Sequence, residues 1–323
     1  MKLLGLHHVS ILTGNAEKNF EFYTKVLGMR LVKKTVNQDN TSSYHLFYGD
    51  AEGNPGSEIT FFDMPSLGRT YPGVRSISST SLRVKSTDSL HYWVERLERL
   101  NIAHEDIMKR ANRDTLAFRD YDGTNVILVA DNGEEGVAAG VPWDKTDIPV
   151  EHAIIGLGPV MLTVTAAEPT IKVLTDVMGF RHVGSYPSLA GDFPAIEVFA
   201  TGEGGAGAEV HLETRPDLPK ERPGRGSIHH VAFRIPNEEE FKYWTKRIQE
   251  SGLMNSGEVE RYYFKALYFR EPNHILFELS TDTPGFAADE PLESLGERLA
   301  LPPFLEPKRE QIEAQLRPLD LEL

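Results

Sequence analysis

The stretch "GLHHVSILT" at residues 5–13 returns almost unchanged as "SIHHVAFRI" at residues 227–235. Each copy opens with two adjacent histidines and continues with β-branched and apolar residues at the period of a strand. One such pair is an ordinary coincidence, but its return near the far end of a 323-residue chain points to an internal repeat. A single offset of 151 residues extends the comparison: "YTKVLGM" (23–29) lies over "LTDVMGF" (174–180), placing Gly28 on Gly179. At the same offset "SEITFFDMP" (57–65) lies over "AEVHLETRP" (208–216), and "HYWVERL" (91–97) over "KYWTKRI" (242–248), with Trp93 on Trp244. "AFRD" (117–120) falls on "YFRE" (268–271). Several matches in one order at one offset mark a duplication.

Each half divides again. After the first strand, "NAEKNFEFYTKVLGM" reads as an amphipathic helix, with Asn15 as N-cap, Phe20, Tyr23 and Leu27 at helical spacing, and Gly28 at its end. Three strand candidates follow at roughly 30–37, 43–48 and 57–62. The resulting β-α-β-β-β order recurs from residues near 77, 156 and 228. The expected fold class is therefore α+β, built of four βαβββ modules in two tandem pairs. Residues 1–135 hold modules 1 and 2, 136–150 form a linker, 151–283 hold modules 3 and 4, and 284–323 form a tail with a short helix in "EPKREQIEAQLRPL".

Composition narrows the function classes. The net charge of −14 supplies no basic patch for nucleic acid or an anionic membrane surface. No apolar run of about 18 residues is present to span a bilayer, and "MKLLGLHHVS" lacks the apolar core of a signal peptide. With no cysteine, disulfides, thiolate nucleophiles and cysteine-bound metals are all excluded. A cytoplasmic protein is the expectation.

The histidine pair is retained selectively. Modules 2 and 3 carry Ser78–Ser79 and Gly158–Pro159 in its place, so the first strands of modules 1 and 4 share a task that the others lack. Glu278 joins them from "HILFELSTD", where a carboxylate in an apolar strand demands compensation such as a metal ion. The equivalent residue of module 2 is Ile127, or Leu128 with one inserted residue, and the last strand of module 1 offers Ile59 and Phe61 on the matching face. Two histidines and one carboxylate from three strands form the facial triad of non-haem Fe(II) oxygenases, with open coordination positions. A structural zinc site would use four protein ligands. Alternation along a strand lets only one histidine of each pair face the ion, and the pattern alone does not say which. His45, His91, His104, His152, His182, His211 and His274 lack such partners and read as surface or loop residues. Trp93 and Trp244 read as helix packing, "GEGGAGAE" (202–209) as a flexible turn, and "RPDLPKERPGRG" (215–226) as a linker.

With "LHHVSI…YTKVLGM" and "IHHVAF…YFREPNHILFEL" on four such modules, residues 3–283 resemble the vicinal oxygen chelate superfamily. That superfamily includes glyoxalase I and the extradiol dioxygenases, and the resemblance is strongest to its hydroquinone-type ring-cleaving dioxygenases. The resemblance implies that the residue before the Val of "H-V" is the ligand, which gives His8 and His230, with Glu278 as the carboxylate. Because module 3 has Pro159 at the ligand position, modules 1 and 4 are expected to share one open β-barrel that holds the metal. Modules 2 and 3 would form a second barrel without ligands, both barrels being flanked by helices. The implied cofactor is Fe(II), with Mn(II) suited to the same donors. The implied partners are a small aromatic diol and O2, and association of identical copies is left open. The implied reaction is ring opening of a hydroquinone-type diol. The alternatives are a catechol extradiol dioxygenase, a glyoxalase-type metal-dependent lyase or isomerase, which would need a fourth ligand, and a non-catalytic binding protein. Ser10 shares a strand face with His8, and Tyr268 would stand opposite Glu278 if "REPNHI" closes a hairpin. His7, His229 and Arg261 match positions near the metal in the resembled subgroup. Alternation places the two histidines on the far face, so a bulge or a strand end is required there.

Overall fold

The computed structural model describes residues 1–319 and 321. Module 1 comprises β1 (Leu6–Thr13), α1 (Ala16–Phe20, continued by a wider helical turn to Val26), β2 (Arg30–Asn37), β3 (Asn40–Gly49) and β4 (Glu58–Asp63). Module 2 comprises β5 (Ser76–Val84), α2 (Thr87–Arg99), β6 (Met108–Arg110), β7 (Arg113–Arg119) and β8 (Asn125–Ala130). Module 3 comprises β9 (Ile154–Val164), α3 (Ala167–Lys172), β10 (Arg181–Tyr186), β11 (Ile196–Ala200) and β12 (Glu209–Thr214). Module 4 comprises β13 (Ile228–Ile235), α4 (Glu238–Glu250), β14 (Val259–Glu260), β15 (Lys265–Arg270) and β16 (Leu276–Thr281), and α5 (Arg309–Gln315) closes the tail. No helix among the described residues is long and apolar enough to cross a membrane.

The helix starts follow local chemistry. Asn15, Ser86 and Asn237 stand in extended backbone and accept N–H hydrogen bonds from Lys18, Ser89 and Glu240. Each satisfies a donor that the first turn leaves unpaired. Gly28 and Gly179 end the first helices of the two halves at φ of 65° and 73°, a region open to glycine at little cost. Trp93 and Trp244 are buried at matching places on α2 and α4.

Pairing across the duplication is what positions the site. In each module the first strand runs parallel to the last, β1 beside β4 and β13 beside β16. β1 and β13 then pair antiparallel, joining module 1 to module 4, and β5 pairs antiparallel with β9, joining module 2 to module 3. A single pair, Ile77 with Ile228, connects β5 to β13 and so carries the sheet from one barrel to the other.

One loop reading is corrected, and the Pro-rich linker between modules 3 and 4 is found to have a neighbour. Residues 206–208 of the glycine-rich stretch form a buried 3-10 turn, wedged so closely that a Cβ on Gly5 would meet the Gly207 carbonyl at 2.9 Å. Packing against the N-terminal segment overrides the intrinsic freedom of the glycines. The Pro-rich segment 215–226 runs beside the connection between modules 1 and 2, with bridges from Arg69 to Arg225, Tyr71 to Arg222 and Val74 to Lys220. The tail is bound to module 1: the fully buried Lys33 amine donates to Asp289 at 2.7 Å, to Glu290 and to the Phe286 carbonyl at 3.1 Å.

Candidate metal centre

The β1–β13 ladder carries two bulges, and they answer how adjacent histidines point to one place. Leu6 pairs with Phe233 and Val9 with Val231, so His7 and His8 together oppose the single residue Ala232. On the other strand Ser10 pairs with His230 and Ile11 with Ile228, leaving His229 as the extra residue. An unpaired residue bends a strand and re-aims its neighbours.

The result is a close cluster at the seam of modules 1 and 4. Glu278 Oε2 lies 3.2 Å from His8 Nε2 and 2.8 Å from His230 Nε2, and the two Nε2 atoms are 3.3 Å apart. All three side chains are buried. Behind the ligand candidates, His7 Nε2–H donates to the Thr281 carbonyl at 3.1 Å. His7 Nδ1 is thereby left bare to accept from His8 Nδ1–H at 2.9 Å. Burial holds the His7 pKa well below 6.5, which keeps the ring neutral and this assignment consistent. A matching contact of 2.8 Å joins His229 Nδ1 to His230 Nδ1, although the His229 side chain is itself exposed on the strand. The inner His8 Nε2 therefore presents a lone pair, not a hydrogen, to the carboxylate, and the Nδ1 contact to His229 permits the same tautomer at His230.

That donor set fits a cation. Glu278 Oε2 is buried without a hydrogen-bond partner, while Oε1 accepts from Ser280 Oγ at 2.7 Å. Burial alone would push the Glu278 carboxyl up; positive charge at His8 and His230 would hold it well below the usual carboxylate range, and a cation among the three supplies that charge when the imidazoles are neutral. The His8 lone pair and the anionic oxygen, 3.2 Å apart, repel one another unless a positive ion lies between them, and His230 Nε2 stands within 3.3 Å of both. Donors bound at ~2.1 Å and at right angles would be separated by roughly 3 Å, as these are.

A second group, His7, His8 and Glu58, also falls within metal-binding reach. Its imidazole Nδ1 atoms are spent on each other, and burial raises the Glu58 pKa well above the carboxylate range, so this side chain keeps its proton. Glu58 and Thr60 correct the reading of module 1. β1 pairs with β4 as His8 with Glu58 and Ser10 with Thr60, so Glu58, Thr60 and Phe62, not Ile59 and Phe61, line the inner face. Thr60 thus stands where Glu278 stands in module 4, beside Ala232. Its hydroxyl lies 2.7 Å from Ser10 Oγ and 2.9 Å from His45 Nε2.

His45 was expected at the surface. It instead sits on β3 between the rings of Phe47 and Phe62, at 4.0 and 4.1 Å between centroids. Enclosure between these rings, and then the nearby His8 and His230, lower its pKa well below 6.5. Alternation along β3 would have shown that His45 shares a face with Phe47, but not that this face meets β1. Tyr268 pairs with Glu278 across β15 and β16, and its ring lies 5.8 Å from that of His230. Burial, with the Glu278 charge, pushes its phenol well above the ordinary value. Arg261 Nε donates to the Tyr268 hydroxyl at 3.2 Å, and its other nitrogens reach Asp39 at 3.1 and 2.9 Å. Phe264 covers His7 and His8 at 5.5 and 5.4 Å.

His211, also expected at the surface, is buried in the barrel of modules 2 and 3. Its Nε2–H donates to Glu209 at 3.1 Å and its Nδ1 accepts from the Tyr186 hydroxyl at 3.0 Å. The metal-ligand positions of that barrel hold Ser79, Ile127, Pro159 and His211, which offer one ligand and no carboxylate.

Residues 5–128 and 156–279 match the family model described as Glyoxalase/Bleomycin resistance protein/Dioxygenase superfamily. The chain is 55% identical over 319 residues to the Bacillus subtilis protein named "Putative ring-cleaving dioxygenase MhqA", covering 99% of this chain and 100% of that one. It is 28% identical over 316 residues to the chlorohydroquinone/hydroquinone 1,2-dioxygenase of Sphingobium indicum, covering 95% and 94% of the two chains. A crystal structure of a "putative dioxygenase" from Bacillus subtilis superimposes with a TM-score of 0.89 at 33% identity, over 99% of each chain.

Proposed function

The chain belongs to the glyoxalase/bleomycin resistance protein/dioxygenase superfamily, and on that premise we propose that it is an Fe(II)-dependent ring-cleaving dioxygenase that opens a dihydroxyaromatic ring of the hydroquinone type with O2. The observation that carries the reading is the convergence of His8 Nε2, His230 Nε2 and the unpartnered Glu278 Oε2, with Thr60 at the fourth position. Three protein donors leave room for a diol and O2 together, whereas a lyase of the glyoxalase type would use a carboxylate or amide where Thr60 stands. The hydroquinone relative supports the choice of ring.

Fe(II), when bound, supplies a redox contact between diol and O2 and lowers the pKa of a coordinated phenol; Mn(II) suits the same donors. The remaining work falls to side chains. His7 and His229 hold the ligand rings in the tautomer that turns Nε2 inward, and such outer partners fix ligand orientation. Ser280 orients the carboxylate. Tyr268, kept protonated by burial, offers a hydroxyl beside the centre to a substrate oxygen, and Arg261 aims that hydroxyl while adding positive charge. Ser10, Thr60 and His45 form a second hydrogen-bonded line along the inner face. Phe62 and Phe264 exclude water from the rings they cover. Both atoms of O2 enter the opened product.

The test is oxygen uptake by anaerobically prepared, Fe(II)-loaded protein given methylhydroquinone, a chlorohydroquinone, catechol or a glutathione hemithioacetal. Uptake with the hydroquinones, absent in Glu278→Gln protein of unchanged far-UV circular dichroism, is the expected result. Uptake with catechol alone would change the substrate class. Hemithioacetal turnover without O2 consumption would establish a lyase.

A further inference from the structure

The barrel of modules 1 and 4 is shut at one end and open at the other. Toward Lys33 and Ala266 it is plugged by Phe47, Phe264 and Phe286, all buried. The register of the strands describes the opposite end. Tyr268 pairs with Glu278 and Arg270 with Leu276, so Arg270 and Leu276 continue the same two strand faces past the centre. Leu12 stands two residues beyond Ser10 on β1, and the bulged His229 adjoins His230. Two residues of strand cover about 7 Å. Leu12, His229, Arg270 and Leu276 together line a cleft of about 570 Å3, a volume that suits a small ligand.

The outer wall of this cleft carries charge. The residue before β5 and the Pro-rich segment 215–226 supply Arg75, Lys220 and Arg222, which line it together with Arg270. All four are exposed, in a chain whose net charge is −14. Among the described residues none of them forms an ion pair with a carboxylate. Arg222 lies over the Tyr71 ring at 4.0 Å, and Arg270 gives Nη1 to the His274 carbonyl at 2.8 Å. The Nε and Nη2 edge of Arg270 is left without a protein acceptor among the described residues, and that edge is a fork that the two oxygens of one carboxylate can bridge. The single carboxyl in the lining, Glu221, is half-buried, and burial pushes its pKa up to about 7, which removes part of its negative charge at neutral pH. A cleft lined by one sign of charge concentrates ligands of the other.

On the premise of the ring-cleaving reading above, we propose that this cleft is the entrance to the metal centre and selects substrates with an anionic side group: a hydroquinone carrying a short carboxylate chain, its ring at the His8, His230 and Glu278 cluster and its carboxyl on the Arg270 fork. Leu12 and Leu276 flank the apolar part of the chain, and Arg75 adds a second cation at the rim. A neutral hydroquinone fits the centre but leaves the fork and the rim unused. The segment 215–226 thereby acquires a part in recognition, since it carries two of the four cations to a cleft between modules 1 and 4.

The test compares oxygen uptake by the Fe(II)-loaded protein with 2,5-dihydroxyphenylacetate, its methyl ester and methylhydroquinone. The ester keeps the ring and the chain but not the charge. For the acid, kcat/KM should exceed that of the ester at least about tenfold, as a charge-assisted pair of hydrogen bonds allows. Arg270→Gln should bring the two within about threefold of each other, and Arg75→Gln should narrow the ratio less. Because a ratio is read on one preparation, any loss of folded protein in a variant cancels. Anaerobic calorimetric titration of the metal-free wild type and Arg270→Gln with acid and ester reads the same discrimination without turnover. Equal kcat/KM for acid and ester while methylhydroquinone is turned over, or no tighter binding of the acid in the titration, would overturn the inference and leave the ring-cleaving reading in place. A preference for the acid that survives in both variants would also overturn it, by placing the carboxyl elsewhere. No uptake with any of the three diols would overturn both.

Discussion

Replacing His7 with leucine tests whether the rear histidines set the ligands. The substitution keeps roughly the volume but removes the acceptor for His8 Nδ1–H and the donor to the Thr281 carbonyl, both buried. Each orphaned group costs about 1–3 kcal/mol, so the metal-free protein should lose on the order of 2–6 kcal/mol, read as a lower urea midpoint at unchanged slope. The effect on metal is separate. Without His7 the His8 ring is free to carry its hydrogen on Nε2, and loss of such an outer partner lowers metal affinity about 10–100-fold, or about 1.4–2.8 kcal/mol. Anaerobic competition of Fe(II) or Mn(II) against a chelator measures it. His7→Gln, whose amide both accepts and donates, should recover part of each loss. Wild-type affinity in His7→Leu, or equal losses in His7→Leu and His7→Gln, would refute the relay. A loss as large as that of His8→Ala would make His7 a ligand.

Thr60→Glu places a carboxylate at the position opposite Glu278; metal affinity should hold or rise while O2-dependent turnover falls at least about tenfold as an open position is filled, checked by chelator competition and oxygen uptake on one preparation. Glu209 gives a pH signature: burial pushes its carboxyl up, but hydrogen bonds from His211 and Arg113 more than offset this and hold it at about 2. Its folded pKa lies below the unfolded one, so the stabilisation is present above pH ~4.5 and is lost as pH falls toward about 2, on the order of 3 kcal/mol in all. Glu209→Gln should flatten that part of the acid-unfolding curve, and an unchanged curve would show that the Arg113 pair contributes nothing. Lys33→Met strands the buried Glu290 carboxylate and should cost about 3–5 kcal/mol, with earlier proteolysis in the tail than in the barrels as the accompanying readout.

The parts of the site legible in the chain were those where duplication supplied a comparison. Two strands kept a histidine pair that their copies replaced with Ser78–Ser79 and Gly158–Pro159, and Glu278 stood out against Ile127. Tyr268 followed because a short hairpin ties register to sequence. Thr60 and Glu58 were misplaced for the opposite reason. β1 and β4 are parallel, joined through a helix and two further strands, so no turn sets their register, and a one-residue slip exchanges the two faces. His45 and His211 were missed because inwardness in a barrel is decided by closure, which periodicity along one strand does not encode. The bulges required to bring His7 and His229 behind the ligands could be inferred as a need, while their positions came from the ladder itself.

The order in which the chain leaves the ribosome acquires meaning from the β1–β13 seam. His8 and His230 are 222 residues apart, and Glu278 follows later still, so no nascent chain shorter than almost the full length holds a complete ligand set. Modules 2 and 3 are synthesised consecutively and form their barrel from the middle of the chain, while one edge of β1, the one opposite β4, waits unpaired until β13 appears. Closing so long a loop is entropically slow, and the waiting edge of β1 is apolar and exposed to other strands. The same delay leaves the His8, His230 and Glu278 cluster incomplete in a half-built protein: it comes into being only when the walls that cover it do.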